Sequence, residues 1–224
     1  MKFKHLDYLK EEVDLEAQNI EGTRFYKVPS GKLYPSITSV TSFYGREKFI
    51  EWRRKVGEEE ANRVTRIATD RGTKFHDLVE KYMLNENVDD YNPLPATKFL
   101  FLAAKPYLDR INNIHALEKS LYSDYLGLAG RVDCIAEYEG ELAIIDFKTS
   151  KKKKPEKWIQ NYFIQESAYS FMYEERTNIV VPQLVTIIGV DDEPEPQVFV
   201  KNAKERNEYL LEFIKLRESF DLSD

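Results

Sequence analysis

Three features of the chain predict an α/β fold with a central mixed β-sheet flanked by helices and a helical amino-terminal part. Apolar residues between Glu47 and Met83 recur mostly at spacings of three, four or seven, which is the period of helices burying one face. Short runs patterned for strands then follow one another from Ala116 to Lys148. A further helical stretch and another strand-like run, QLVTIIGVD, come after them, so that the order is helix, three strands, helix, strand.

Taken from the start, RFYKV at residues 24–28, with Gly31 and Pro35 behind it, reads as a small strand and turn region leading into SITSVTSFYG. Ser36 is placed there to cap a short helix. The periodic positions that follow are Phe49, Trp52, Val56, Ala61, Val64, Ala68, Phe75, Val79 and Met83, with Gly57 and Gly72 as breaks or close-contact points. That spacing assigns Phe49 and Trp52 to the core. NENVDDYNPLPATK is a loop by its Asn, Asp and Pro content, and FLFLAAKPYLDRI is the next helix. Strands are expected over about Ala116–Tyr125, Gly130–Tyr138 and Glu141–Lys148, forming a meander whose last two members meet at Glu139-Gly140. Pro155 opens a helix running to about Glu175. QLVTIIGVD and QVFVK are further strands, and NAKERNEYLLEFIKLRESF closes the chain as an amphipathic helix. One domain is expected over 1–224, with a helical part at about 36–112, a sheet core at about 113–201 and the closing helix at about 202–219.

Composition narrows the function. With 42% hydrophobic, 13% aromatic and 32% charged residues the chain has a globular balance, and no apolar run reaches the ~20 residues of a membrane span. The segment MKFKHLDYLKEEVDLEAQ lacks an apolar signal core and is too acidic for a transit peptide, so the cytoplasm, bacterial or that of a phage-infected cell, is the expected location. The lone Cys134 excludes an internal disulfide and a cysteine-built zinc site or iron–sulfur cluster. A net charge of −6 argues against a uniformly cationic coat. The charge is uneven, however: residues 148–157 hold six lysines against Glu156 alone, whereas residues 191–224 hold ten acids against five basic residues.

The chemistry centres on GRVDCIAEYEGELAIIDFKTSK. Side chains alternate along a strand, so Asp146 and Lys148 share one face and Phe147 points to the other. If the two runs pair across the Glu-Gly turn, Asp133 brings a second carboxylate to the same place. A phosphodiester is an anion that repels hydroxide, and its cleavage calls for a cation on the phosphate and an activated water. Asp133 and Asp146 are the expected holders of Mg²⁺ or Mn²⁺, as one or two ions, with the Phe147 carbonyl as a further oxygen. Lys148 would orient or deprotonate the water, or stabilise charge on the phosphorane. Upstream, His76 and Glu80 lie one helical turn apart. Downstream, Gln165 and Tyr169 have the same relation.

Together these residues resemble the PD-(D/E)xK nuclease superfamily, in its branch of RecB-type nuclease domains, mitochondrial genome maintenance exonucleases and phage members. The resemblance rests on YPSITSV at 34–40, RGTKFH at 71–76, GLAGRVD at 127–133, IIDFKTSK at 144–151 and the Gln-x-x-x-Tyr at 165–169. It implies a restriction-endonuclease-like core and a catalytic set of His76, Asp133, Asp146 and Lys148. It also implies His76 as a ligand for a second metal, and Gln165 with Tyr169 as supports of the site and its DNA backbone contacts. Arg131-Val132 stand where the Pro of the superfamily name would be expected, and the cysteine cluster of some relatives is missing.

For the substrate, Arg46–Lys74 carries nine basic residues against six acids, and Arg53, Arg54, Arg71 and Lys74 are candidate phosphate contacts, joined by Lys151 in the basic loop. Glu80 and Glu118 read as solvated residues, with metal or supporting roles as the less favoured option. The leading expectation is a divalent-metal-dependent DNA exonuclease preferring single-stranded ends, in phage or related replication, recombination or DNA degradation, with a recombination or replication protein as a candidate partner. The alternatives are a lambda-type duplex exonuclease, a catalytically silent DNA-binding or recruitment module, and a purely structural ion-pair network at a sheet edge.

Overall fold

The computed structural model describes residues 2–6, 8–9, 14–43 and 45–221. Part of the acid-rich segment read above for targeting signals, residues 10–13, lies outside them. Strands β1 (Glu16–Ile20), β2 (Thr23–Lys27) and β3 (Leu33–Pro35) form a small antiparallel sheet. Ser36 then accepts a hydrogen bond from the Ser39 N–H at 3.0 Å and so caps α1 (Ile37–Phe43).

Helix α2 (Arg46–Val56) ends at Gly57, whose φ of 86° is a conformation that L side chains adopt only with strain, and α3 (Glu58–Met83) follows. Gly72 does not break this 26-residue helix; it faces Thr149 instead. The two halves of α3 differ. Phe75, Leu78, Val79 and Met83 are buried in its second half, at the spacing of one apolar face, whereas only Ala61 is buried in the first.

After a 3₁₀ turn at Val88–Tyr91, α4 (Pro95–Leu108) starts four residues earlier than FLFLAAKPYLDRI suggested, because Pro95 is suited to a first helical turn. Strands β4 (Ile111–Ser123), β5 (Leu128–Tyr138) and β6 (Glu141–Ser150) form the expected antiparallel meander. Its β5–β6 turn is two residues long, with Glu139 at φ 54° and Gly140 at φ 89°, as a tight hairpin of this twist requires. A 3₁₀ turn at Glu156–Trp158 precedes α5 (Gln160–Thr177), so the helix expected from Pro155 begins five residues later. β7 (Gln183–Val190) pairs parallel with β6, β8 (Gln197–Lys201) pairs antiparallel with β7, and α6 (Ala203–Asp221) closes the chain.

The five-stranded sheet therefore has the order β4-β5-β6-β7-β8, mixed in direction. One face packs on α1, α5 and α6 through residues such as Ile37, Ile144, Phe163, Tyr173 and Phe213. The other packs on α3 and α4 through Phe75, Leu100, Phe101, Ile145 and Phe147. Each such fully buried large side chain contributes about 2–3 kcal/mol from apolar burial. Helix α2 has no part in either layer: it contains no buried residue, and Phe49 is 47% exposed. The expectation that Phe49 and Trp52 are core residues is thus corrected. Helical spacing puts them on one face, but that face meets the outer half of α3, where Val64 and Ile67 are exposed as well. Among the described residues no helix is long and apolar enough to cross a membrane.

Candidate active site

The site forms where three strands come into line. One step beyond the last β5–β6 pair, Cys134 with Ile145, Asp133 stands opposite Asp146. On the other side of β5, the pairs Leu117–Cys134 and Lys119–Val132 flank an unpaired step at Glu118 and Asp133. Glu118 there has a φ of 49°, a left-handed conformation that costs a residue with a Cβ about 1–2 kcal/mol. Alternation slips at the same step on both strands. Val132 and Ile135, three apart, pack in the same core layer, and so do Ala116 and Leu121, five apart. In a regular strand an odd separation puts residues on opposite faces. The slip leaves Asp133 free of the ladder, and its Oδ2 accepts the Phe147 N–H at 2.9 Å.

His76 comes to this point from α3. It is held at the edge of the buried Phe75 face, with its ring 6.3 Å from that of Phe147. Its Nδ1 lies 3.7 Å from Asp133 Oδ2 and 3.8 Å from Glu118 Oε1. Burial alone would lower the imidazole pKa, but the Asp133 charge and the Glu118 contact outweigh it and raise it to about 9. Arg131 Nε pairs with the other Glu118 oxygen at 2.9 Å. A recess of about 360 Å³ opens over these groups, lined by Gly72, His76, Glu80, Glu118 and Arg131 among others.

Asp146 and Lys148 occupy the neighbouring stretch of β6 and bond to each other directly. Burial raises the Asp146 carboxyl pKa to about 6 although Lys148 pulls it down. Burial also disfavours the Lys148 ammonium, but Asp146 and then Asp133 more than compensate, so its pKa is raised and the group is cationic. Under this pair lies Glu166 of α5, completely buried, with Oε1 accepting a hydrogen bond from Thr186, the residue beside Asp146 on β7. Burial pushes the Glu166 carboxyl strongly upward, and the Asp146 charge adds to the effect.

The remaining predicted residues fall into three situations. Tyr169 is buried, and its hydroxyl donates to the Arg131 carbonyl at 2.8 Å, two residues before Asp133. A Cβ on Gly130 would come within 2.6 Å of that hydroxyl, so Gly130 and Tyr169 together fix the path of β5 into the site. Gln165 is half-buried on the same helix. Arg71 is committed inside the protein, to Asp191 at 2.7 Å and Thr149 at 3.2 Å, and ties α3 to the ends of β6 and β7 rather than projecting toward a phosphate. Lys74 and Lys151 are exposed.

Glu118 corrects the reading of a solvated acid: it is one of three residues whose ligand atoms lie within 4.8 Å of one another, with His76 and Asp133. Two carboxylates and an imidazole fit a Mg²⁺ or Mn²⁺ ion by donor type. Asp146 sits next to this cluster rather than in it, with Lys148 engaging its oxygens. Sequence reasoning did not single out Arg131 and Glu166, which the fold places against the site. The one signal for Glu166 was an acid amid the apolar residues of FIQESAY.

Comparison with known proteins identifies the family. The model of the PD-(D/E)XK nuclease superfamily matches residues 46–220, which include every residue of the site. Mitochondrial genome maintenance exonuclease 1 of Homo sapiens is 27% identical over 165 residues, covering 68% of this chain and 47% of that protein. The Xenopus tropicalis protein of the same name is 31% identical over 119 residues, 51% of this chain and 33% of its own length. The chain thus spans less than half the length of these relatives. With a mixed sheet flanked by helices, and a family match over most of its length, the chain belongs to the PD-(D/E)XK nuclease superfamily.

Proposed function

We propose that the protein is a divalent-metal-dependent deoxyribonuclease that hydrolyses single-stranded DNA from free ends. The observation that carries this reading is the junction of two sets of groups at one sheet end: the His76, Glu118 and Asp133 cluster, and beside it the Asp146–Lys148 pair. His76, Glu118 and Asp133 would hold the first ion, and Asp146 with the Phe147 carbonyl would complete its oxygen shell or hold a second. The ion supplies Lewis acidity toward the phosphate and lowers the pKa of its water.

The chain's own residues do the rest. Lys148, kept cationic by Asp146, offsets the charge that builds on the phosphate and orients the attacking water, a role its raised pKa favours over that of a base. Arg131 neutralises Glu118 and presents a guanidinium at the mouth of the recess, within reach of a phosphate. Phe147 and Tyr169 hold β6 and β5, which carry Asp146 and Asp133. The preference for a single strand is supported by the exposed Phe49 near Trp52, with Arg53 over the Phe49 ring at 5.8 Å, since exposed aromatics beside cations suit unpaired bases. The relatives named as exonucleases support action from an end.

End-labelled linear single-stranded, linear duplex and circular single-stranded DNA, each incubated with Mg²⁺ or Mn²⁺, test the proposal. The linear single strand should be degraded, the duplex more slowly, and the circle spared. Cutting of the circle at the same rate would make the protein an endonuclease, and faster loss of duplex would favour a lambda-type enzyme. Tight binding without cleavage of any substrate would leave a binding module.

A further inference from the structure

A second groove lies away from the carboxylates, and of its lining residues the reading above uses only Phe49. It has a volume of about 990 Å³ and is bounded by the β1–β2 turn, the end of α1, the start of α2, and the 3₁₀ turn that leads into α5. Four aromatic residues, Phe43, Phe49, Trp158 and the buried Phe220, line it together with three cations, Arg46, Lys48 and Lys157. Glu21 is the single acid among its lining residues.

Trp158 is 68% exposed, which is costly for so large an apolar surface unless something covers it. Arg46, Lys48 and Lys157 are exposed too, and none of them is ion-paired with a described residue. An apolar protein partner would account for the aromatics but not for the cations. A duplex would engage the cations, yet its stacked bases would leave the rings idle. Phosphates and unpaired bases in alternation satisfy both kinds of group.

The segment that lines the groove leads toward the catalytic centre and gives it a direction. Trp158, Gln160 and Asn161 line it, and Tyr162, the next residue, lies within reach of the active site: Lys148 Nζ is 5.5 Å from its ring centre. Lys154 is over the same ring at 5.2 Å and donates to the Tyr162 hydroxyl at 2.7 Å. A strand leaving the groove along this segment would meet Tyr162 and Lys154 before the lysine beside Asp146.

We infer that this groove is a binding site for single-stranded nucleic acid, in which Trp158 stacks on an unpaired base while Arg46, Lys48 and Lys157 take the flanking phosphates. The inference rests on the nuclease reading for its direction toward Lys148, but binding can be measured without cleavage.

Anisotropy of a labelled thymidine strand of about 20 nucleotides, long enough to cover a typical single-strand site, should be titrated with the protein in EDTA. Loss of one base stack predicts that Trp158→Ala binds about 5- to 50-fold more weakly, with Trp158→Phe recovering most of the affinity. Wild type should lose a similar factor on a strand made abasic throughout, and Trp158→Ala should lose little more there. Lys157→Glu should flatten the dependence of log affinity on log salt by about 0.7 or more. Circular dichroism melts check that each variant is folded.

Unchanged affinity in both Trp158→Ala and Lys157→Glu would overturn the inference, as would an equal effect of Trp158→Ala on normal and abasic strands. If the variants bind as wild type while DNA is still degraded in Mn²⁺, the groove fails and the nuclease reading stands. If they lose binding while no strand is cleaved in any metal, the nuclease reading fails and the groove stands.

Discussion

The end of the sheet that carries Asp133, Asp146 and Lys148 and the helical arm of α2 with the first half of α3 use similar residue types in opposite ways. In the first, charged groups are sunk between two apolar layers, and each is held by a neighbour: Asp133 by the Phe147 N–H, Lys148 by Asp146, Glu118 by Arg131. In the second, apolar side chains such as Phe49, Ile50, Val64 and Ile67 stand in water among arginines and lysines. Charge is buried where its direction matters, and apolar surface is exposed on the arm, where the proposed single strand would lie. The difference separates preorganised chemistry from adaptable contact.

Removing a carboxylate from the packed end should have the largest effect. Asp146→Ala is expected to lower single-turnover cleavage by about 10³-fold or more, as loss of a metal-holding or charge-stabilising group does, with the far-ultraviolet spectrum unchanged. Activity within tenfold of wild type would remove Asp146 from the chemistry.

Next in size is the backbone support of that end. Gly130→Ala drives a methyl group against the Tyr169 hydroxyl and should cost about 1–3 kcal/mol, read as a drop in melting temperature, because neither strand nor helix can retreat without moving a core layer. An unchanged melting temperature would mean that Tyr169 does not pin β5.

Glu118→Gln tests the electrostatics of the cluster. The His76 pKa, raised to about 9 in the wild type by Asp133 first and Glu118 second, should fall part of the way toward its ordinary 6.5 when followed by NMR in metal-free protein. The folded-state value lies above the unfolded one, so the stabilisation is full below about pH 6.5 and is lost as pH rises through about 9. The wild type should therefore lose up to about 1 kcal/mol more stability than Glu118→Gln across that window, because Asp133 still holds the ring and the ring is partly exposed. Parallel pH profiles would contradict the pairing.

The smallest stability effect belongs to the arm. Phe49→Ala should change unfolding free energy by no more than about 0.5 kcal/mol, because the side chain it removes is already wet, while weakening single-strand binding. A loss of several kcal/mol would show that α2 is packed after all, and the comparison between the two regions would collapse.

The same contrast explains what could be read from the sequence. The β5–β6 hairpin and the Asp146–Lys148 face were legible because strand alternation and the Glu139-Gly140 turn are local. His76 was legible through the RGTKFH motif. Glu118 was not, since its place in the cluster depends on an irregular step in β4 whose φ of 49° no residue preference announces. Periodicity put Phe49 and Trp52 on one helical face, but a period says which residues share a face and nothing about whether that face is covered. The late start of α5 is of the same kind. Pro155 allows a helix to begin, and the chain uses a 3₁₀ turn first, which leaves Trp158 exposed.

The most direct test of the account is hydrolysis of linear single-stranded DNA by wild type and Lys148→Ala, each with Mn²⁺, with Mg²⁺ and with EDTA, alongside melting curves for both proteins. The account predicts cleavage by the wild type in either metal, none in EDTA, and none by a folded Lys148→Ala under any condition. Cleavage that persists in EDTA, or that a folded Lys148→Ala retains at near wild-type rate, would contradict it.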